Sequence, residues 1–208
     1  MIVIIGDSWG RGEWRGCEIT HGGLGQYLVD AGRPVTNLSR GNGQNDEAMH
    51  DLEDYLAHNT TPDAVIWFVT CPLRTSLHRI YDNPIDWAHR QLITAFGYLD
   101  QMALRYQTQI YVIGGLCDIP PEIVQQPYDR VTVIIDSVSA MLISNFPRTV
   151  FGDVKELHRI KSTEQALDIA HQIEQKYNQY DQSDFFPDGG HPNQQAHQMI
   201  FEKIRPYV

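Results

Sequence analysis

Read for the spacing of apolar and polar positions, the chain alternates short buried runs with longer amphipathic stretches. The segments Ile2–Ile5, 34–38, Ala64–Val69 and 109–113 are β-branched or aromatic in character and bounded by Gly, Asp, Asn or Pro, which predicts strands. Between them lie segments of helix length. One spans 24–30 and ends near Gly32, a plausible C-cap; another spans Asn45–His58, with Met49, Leu52 and Leu56 on one face and Asp46 and Glu47 near the start. Pro84–Tyr106 reads as a long helix with proline at its beginning and Trp87, Leu92, Phe96, Leu99 and Leu104 as its apolar stripe. Two further helices are predicted over 163–177 and 193–204, while 144–162 and 178–191 read as loops. Val131–Ile135 is a strand by composition that could run into a helix over 136–143.

Strands that are apolar throughout, in alternation with helices, predict a parallel sheet covered on both faces. In such sheets a ligand site forms at the carboxyl ends of the strands. Three loops then share one rim: Gly6-Asp7-Ser8 after the first strand, Gly41-Asn42-Gly43 after the second and Thr70-Cys71-Pro72 after the third.

Composition narrows the picture. At 208 residues and 42% hydrophobic, with no internal repeat or linker, residues 1–208 are expected to form a single domain. No run of about 18 apolar residues suggests a membrane span. The first strand begins at residue 2 with no basic segment before it, so no signal peptide is expected and a cytoplasmic location follows. Sixteen Lys and Arg against 26 Asp and Glu give a net charge of -10, which argues against nucleic acid as a partner. Cys17, Cys71 and Cys117 are odd in number and lack CxxC spacing, so they read as small buried apolar residues, with Cys71 the one candidate for a reactive thiol.

Ser8 closes a buried strand, and a serine hydroxyl becomes nucleophilic only when a base takes its proton. Among the histidines, His191 stands out in Asp188-Gly189-Gly190-His191-Pro192. Two glycines let the loop fold back so that Asp188 meets the Nδ1 side of His191, delivering a base and its orienting carboxylate together. Either motif alone has a plain alternative: GDS as a turn, DGGHP as a helix-entry loop. Asp184 is the rival acid.

GDSW at the start, the glycine-bearing Asn37-Leu38-Ser39-Arg40-Gly41-Asn42-Gly43-Gln44-Asn45 after the second strand and DxxHP near the end resemble the SGNH, or GDSL, hydrolase family, with wording close to its divergent phage-type members. The resemblance runs the length of the chain. It implies a flavodoxin-like three-layer α/β/α sandwich and hydrolysis of esters without a cofactor. It implies Ser8 as nucleophile, His191 as base and Asp188 as acid, with the amides of Ser8 and Gly43 donating to the oxyanion. The third block departs from the family's Gly-x-Asn-Asp: Thr70-Cys71-Pro72-Leu73-Arg74 contains no asparagine. Thr70 is expected to stand in as donor, with Arg74 able to reach the pocket. Trp9, Glu13 and Trp14 follow Ser8 closely and either shape the substrate site or pack against the core.

Other residues invite blander readings. His21 is expected to begin a helix and Asp136-Ser137 to cap one. His78, His89, His158, His171 and His197 read as surface or helix-face residues, and none makes a metal site. Arg40 is either a solvated surface arginine or an anion contact. The expected substrate is a small ester, such as an acetylated glycan, and the competing class is a binding or structural module of the same fold that has lost turnover, for instance in a phage particle. A nucleotide-binding domain is disfavoured, because no Walker or GxGxxG sequence follows the first strand.

Overall fold

A computed structural model describes residues 1–70, 84–115, 118–146, 179–180, 182–188 and 190–208. The predicted helix at 163–177, Arg74, Cys71, Cys117, His78, His158 and His171 lie outside the described residues. Five parallel strands form the central sheet: β1 (Ile2–Ile5), β4 (Val35–Asn37), β5 (Ala64–Val69), β6 (Gln109–Gly114) and β7 (Val131–Ile135), in the order β4-β1-β5-β6-β7. The composition of Val131–Ile135 thus resolves as a strand, paired with β6. Counted along the sheet's own strands this is the flavodoxin-like order, with the direction of winding reversing at β1.

The side chains of β1 and β5 are buried on both faces because each face meets its own layer of helices. Val3, Ile5, Val65, Trp67 and Val69 pack with Leu52 and Leu56 of α3 (Asn45–His58) and Leu92, Phe96 and Leu99 of α4 (Pro84–Tyr106). Ile2, Ile4, Ile66 and Phe68 point the other way, onto Leu24 and Leu28 of α2 (Gly23–Asp30) and Ile200 and Ile204 of α7 (Gln194–Ile204). This two-sided burial is the physical reason that the strands read as unbroken apolar runs. The smaller helices are α1 (Ser8–Arg11), α5 (Pro121–Val124) and α6 (Val138–Leu142).

Local chemistry fixes the helix ends. Gln44 and Glu47 form a reciprocal capping box at the start of α3, with Asp46 and Glu47 complementing the N-terminal dipole. Ser137 accepts from the Ala140 amide at 3.1 Å and caps α6, as its sequence setting predicted. Asn193 accepts from the Ala196 amide at 2.9 Å and starts α7. After α2, Gly32 takes φ +81° and Arg33 N donates back to Leu28 O, closing the helix in the left-handed manner expected of that glycine.

Three readings require correction. His21 does not begin a helix: an antiparallel hairpin, β2 (Glu13–Arg15) with β3 (Glu18–His21), fills the segment between α1 and α2. Its strands are short and largely exposed, so they leave no apolar signature. Cys17 sits exposed in its turn and is not a buried residue. His197 is not on the surface. It is fully buried beneath the neck of the hairpin, so close to the chain that a Cβ added at Gly23 would lie 2.9 Å from its Cε1. Burial pushes its imidazole down to about 4; the Gly12 backbone beside it opposes the shift and His21 adds to it.

Candidate active site

The turn that presents Ser8 is built by a glycine that no other residue could replace without rearrangement. Gly6 takes φ +134°, and a Cβ there would come within 2.5 Å of the Phe68 carbonyl oxygen. This close approach to β5 turns the chain out of β1 and lets Asp7 cap α1 by accepting from the Trp9 amide at 3.0 Å. Ser8 is therefore the first residue of a helix, 5% exposed, at the carboxyl end of the strand where the winding reverses.

Residue 191 reaches this turn from the other end of the chain. His191 Nε2 lies 3.1 Å from Ser8 Oγ, and its Nδ1 lies 2.6 Å from Asp188 Oδ2. Asp188 Oδ1 accepts from the amides of Gly190 at 3.0 Å and His191 at 2.7 Å, so one carboxylate both folds the loop and faces the imidazole. Burial works against its charge. The hydrogen bonds from His191 and Gly190 and the attraction to His191 outweigh it, leaving the carboxyl below its ordinary value. Asp184 has a different place: its carbonyl accepts from Asn193 Nδ2 at 2.7 Å, and Asp188 is the carboxylate that faces His191. The arrangement sets a hydroxyl, an imidazole and a carboxylate in line, the geometry in which a serine proton can pass to a base held in one tautomer.

The expected oxyanion donors are placed less simply. Gly43 does lie against the turn that presents Ser8, since a Cβ there would sit 2.9 Å from the Gly6 oxygen, but its amide donates to Arg40 O at 3.1 Å to close a turn. Thr70 does not present its hydroxyl to a substrate. It is 1% exposed, and Oγ1 donates its single proton to Asp7 Oδ2 at 2.6 Å. The Ser8 amide is at the first position of α1, where a helix makes no internal bond through N–H.

Of the two readings of Trp9, packing is the one the structure shows. It is 1% exposed, packed against Tyr180 and Phe186, and does not line a substrate pocket. Trp14, carried by the unpredicted hairpin, is at the site: its Nε1 donates to Ser8 O at 2.8 Å and its ring lies 5.7 Å from that of His191. Arg40 pairs with Asp51 at 2.5 Å and stays largely exposed, matching the surface reading. His21 accepts the Gly23 amide on Nδ1 and packs on Tyr27.

Three residues of the site escaped the sequence reading. Asp7 is a fully buried carboxylate. Asn45 pairs with both backbone groups of Thr70, accepting from its N–H at 3.0 Å and donating to its C=O at 2.8 Å. Asn37 donates from Nδ2 to Gly10 O at 2.9 Å and accepts from the Ser39 amide at 3.0 Å, tying the second loop to α1. The asparagines sit in the very stretch that resembles the family's second block, which is the signal that was available. Among the described residues no cluster of His, Cys, Asp and Glu could hold a metal ion, and no helix is long and apolar enough to cross a membrane.

No protein-family model matches the chain, and no curated protein matches it. Solved structures do. An acetyl xylan esterase, AlAXEase, is 13% identical with a TM-score of 0.50, over 100% of this chain and 98% of that one. A member of the lipolytic G-D-S-L family from Veillonella parvula is 11% identical with a TM-score of 0.52, over 100% of this chain and 97% of that one. At such identities the likeness is one of architecture. The chain has the SGNH hydrolase α/β fold.

Proposed function

We propose that this protein is a serine ester hydrolase of the SGNH type. The observation that carries the reading is the alignment Ser8 Oγ, His191 Nε2, His191 Nδ1, Asp188 Oδ2, with separations of 3.1 and 2.6 Å at its two ends. Ser8 Oγ attacks the ester carbonyl while His191 Nε2 takes its proton. The tetrahedral intermediate collapses, the ester bond breaks, and His191 returns that proton to the departing alcohol. Water then attacks the acyl-serine, gives a proton to His191, and the acid leaves as the proton returns to Ser8 Oγ. Asp188 fixes the imidazole's orientation and stabilises its charged form. The Ser8 amide donates to the oxyanion. Gly43 joins it only if its turn to Arg40 loosens.

A small acyl group, such as an O-acetyl on a glycan, is the preferred substrate class. Both structural neighbours carry esterase or lipolytic names, and one is described as an acetyl xylan esterase. The direct test is hydrolysis of p-nitrophenyl acetate by the wild type and by Ser8→Ala. The variant should lose activity with its unfolding midpoint little changed. Undiminished turnover in Ser8→Ala would exclude Ser8 as nucleophile.

One observation favours a second reading, a module of the same fold with little or no turnover. Two of the three anticipated oxyanion donors are engaged inside the protein, Thr70 with Asp7 and Gly43 with Arg40. One such donor is worth about 3 kcal/mol of transition-state stabilisation in a working hydrolase. Wild-type protein inert towards a panel of acetyl, butyryl and glycan esters would favour that reading.

A further inference from the structure

The base loop and the nucleophile turn are about as far apart in sequence as the chain allows, yet Ser8 and His191 meet within hydrogen-bond distance. Two indoles make the connection. Trp9, the residue after Ser8, donates from Nε1 to the carbonyl of Gly190, the residue before His191, at 2.8 Å. Trp14 donates from Nε1 to the carbonyl of Ser8 itself, also at 2.8 Å, while its ring lies along the imidazole of His191 at an interplanar angle of 36°. The far edge of Trp14 is stopped by the second loop, where a Cβ at Gly41 would be 3.3 Å from Cη2. A third tie joins the same hairpin to the helix after the base: Glu13 Oε2 accepts from the Gln194 amide at 3.2 Å.

From this geometry we infer that Trp9 and Trp14 are positioning residues that hold His191 over Ser8. The inference rests on Ser8, His191 and Asp188 being the reactive group. Asp188 holds one nitrogen of the imidazole, but a hydrogen bond at Nδ1 leaves the ring free to tilt away from Ser8 about the bonds that carry it. Trp14 closes that freedom. It stands against the ring and is itself pinned to Ser8, so the nucleophile's backbone and the base's side chain share one wall. Trp9 fixes the other variable, the height of the loop, by anchoring Gly190 to α1 from within the core. The hairpin is therefore not a decoration on the fold. It delivers a side chain that the five-stranded sheet could not supply, from strands with only three and four residues.

A displacement of about 1 Å in a reacting group can cost about a hundredfold in rate, so loosening the ring should appear in kcat. Trp14→Leu removes ring and N–H. Trp14→Phe keeps a ring and loses the donor. Two readouts are taken on the full chain: kinetics with p-nitrophenyl acetate, and long-range 15N–1H correlation of histidine-labelled protein, with His191 assigned by its absence in His191→Gln. Trp14→Leu should lower kcat about a hundredfold with KM within twofold, and its His191 ring nitrogens should average between tautomers where the wild type shows one. Trp14→Phe should recover part of both. Trp9→Phe, which fills most of the core volume, should broaden the His191 signals and lower kcat in the same way.

Unchanged His191 resonances in Trp14→Leu and Trp9→Phe would overturn the inference, whatever the activity. So would a rise in KM at constant kcat in Trp14→Leu, which would make the indole a substrate contact. If the wild type hydrolyses nothing, the esterase reading fails on its own test, and the His191 spectra still decide whether the two tryptophans position the ring.

Discussion

Thr70 gives its only hydroxyl proton to Asp7, 63 residues earlier, at 2.6 Å. The bond joins the exit of β5 to the turn that presents Ser8, and it is wholly buried. With Asn45 gripping the backbone of Thr70 on both sides, three loops are fastened to each other beneath the serine. The threonine expected to donate to a substrate donates instead to the scaffold.

Thr70→Val keeps the side chain's shape and removes the hydrogen bond to the buried Asp7 carboxylate. A loss of about 1–3 kcal/mol in unfolding free energy is expected, measured by urea titration, with Thr70→Ser much milder because it restores the hydroxyl. A fall in kcat with stability unchanged would instead return Thr70 to the substrate.

Gly6→Ala should be among the most damaging small changes in the molecule. The added Cβ meets the Phe68 carbonyl at 2.5 Å in a backbone region that disfavours side chains, φ +134°. Gly32→Ala is the control, since it shares a positive φ but has nothing within 4 Å of the new atom. Gly32→Ala should cost about 1–2 kcal/mol, and Gly6→Ala clearly more, as thermal unfolding would show; on the proposed mechanism it should also abolish turnover of a reporter ester.

Asp188→Asn preserves an oxygen for the amides of Gly190 and His191, so the loop should still fold. It removes the charge facing Nδ1 and permits the wrong tautomer. On the proposed mechanism kcat should fall by about 10⁴-fold, with little effect on KM. Near-normal turnover in a folded variant would eliminate Asp188 as the orienting group.

His197 should make the protein acid-labile. Its imidazole is pushed from 6.5 to about 4 by burial, so the folded state resists the proton that the unfolded chain accepts. Stability from this residue is complete above about pH 6.5 and is lost as the pH falls from there towards 4, amounting to about 3 kcal/mol at full shift. Urea midpoints of the wild type and His197→Gln, compared at pH 7.5 and 4.5, should show a smaller drop in the variant. Equal drops would mean that His197 does not titrate with unfolding.

Strands β1 and β5 were legible to the residue because a strand buried on both faces must be apolar at every position. The bounds of α3 and α4 were legible because a helix on a sheet carries one apolar stripe and ends where capping residues allow. The meeting of Ser8 with His191 could be anticipated from two short motifs taken together with their resemblance to the SGNH family, since local geometry places each residue at a strand or helix end but does not join the two. The hairpin could not be read in this way: its side chains are largely exposed, so no burial periodicity marks it, and its ties run to α1, α7 and the second loop, all distant from the pattern of the hairpin itself.

The same division runs through the site. Sequence by itself determined which residue types stand at the rim, because turns, caps and strand ends are set by nearest neighbours. Only the tertiary structure decided what each donor faces. Thr70 and Gly43 lie beside the turn that presents Ser8, but their protons go to Asp7 and Arg40, partners chosen by the packing of loops distant in sequence or by the turn those loops impose. His197 carries the same i+6 relation to His191 whether exposed or buried; in the fold Gly23 passes against its ring, the Gly12 backbone lies beside it, and the imidazole is fully buried. A hydrogen bond's existence can be guessed from composition, but its direction depends on positions fixed to within an ångström, and those are a property of the whole packed chain.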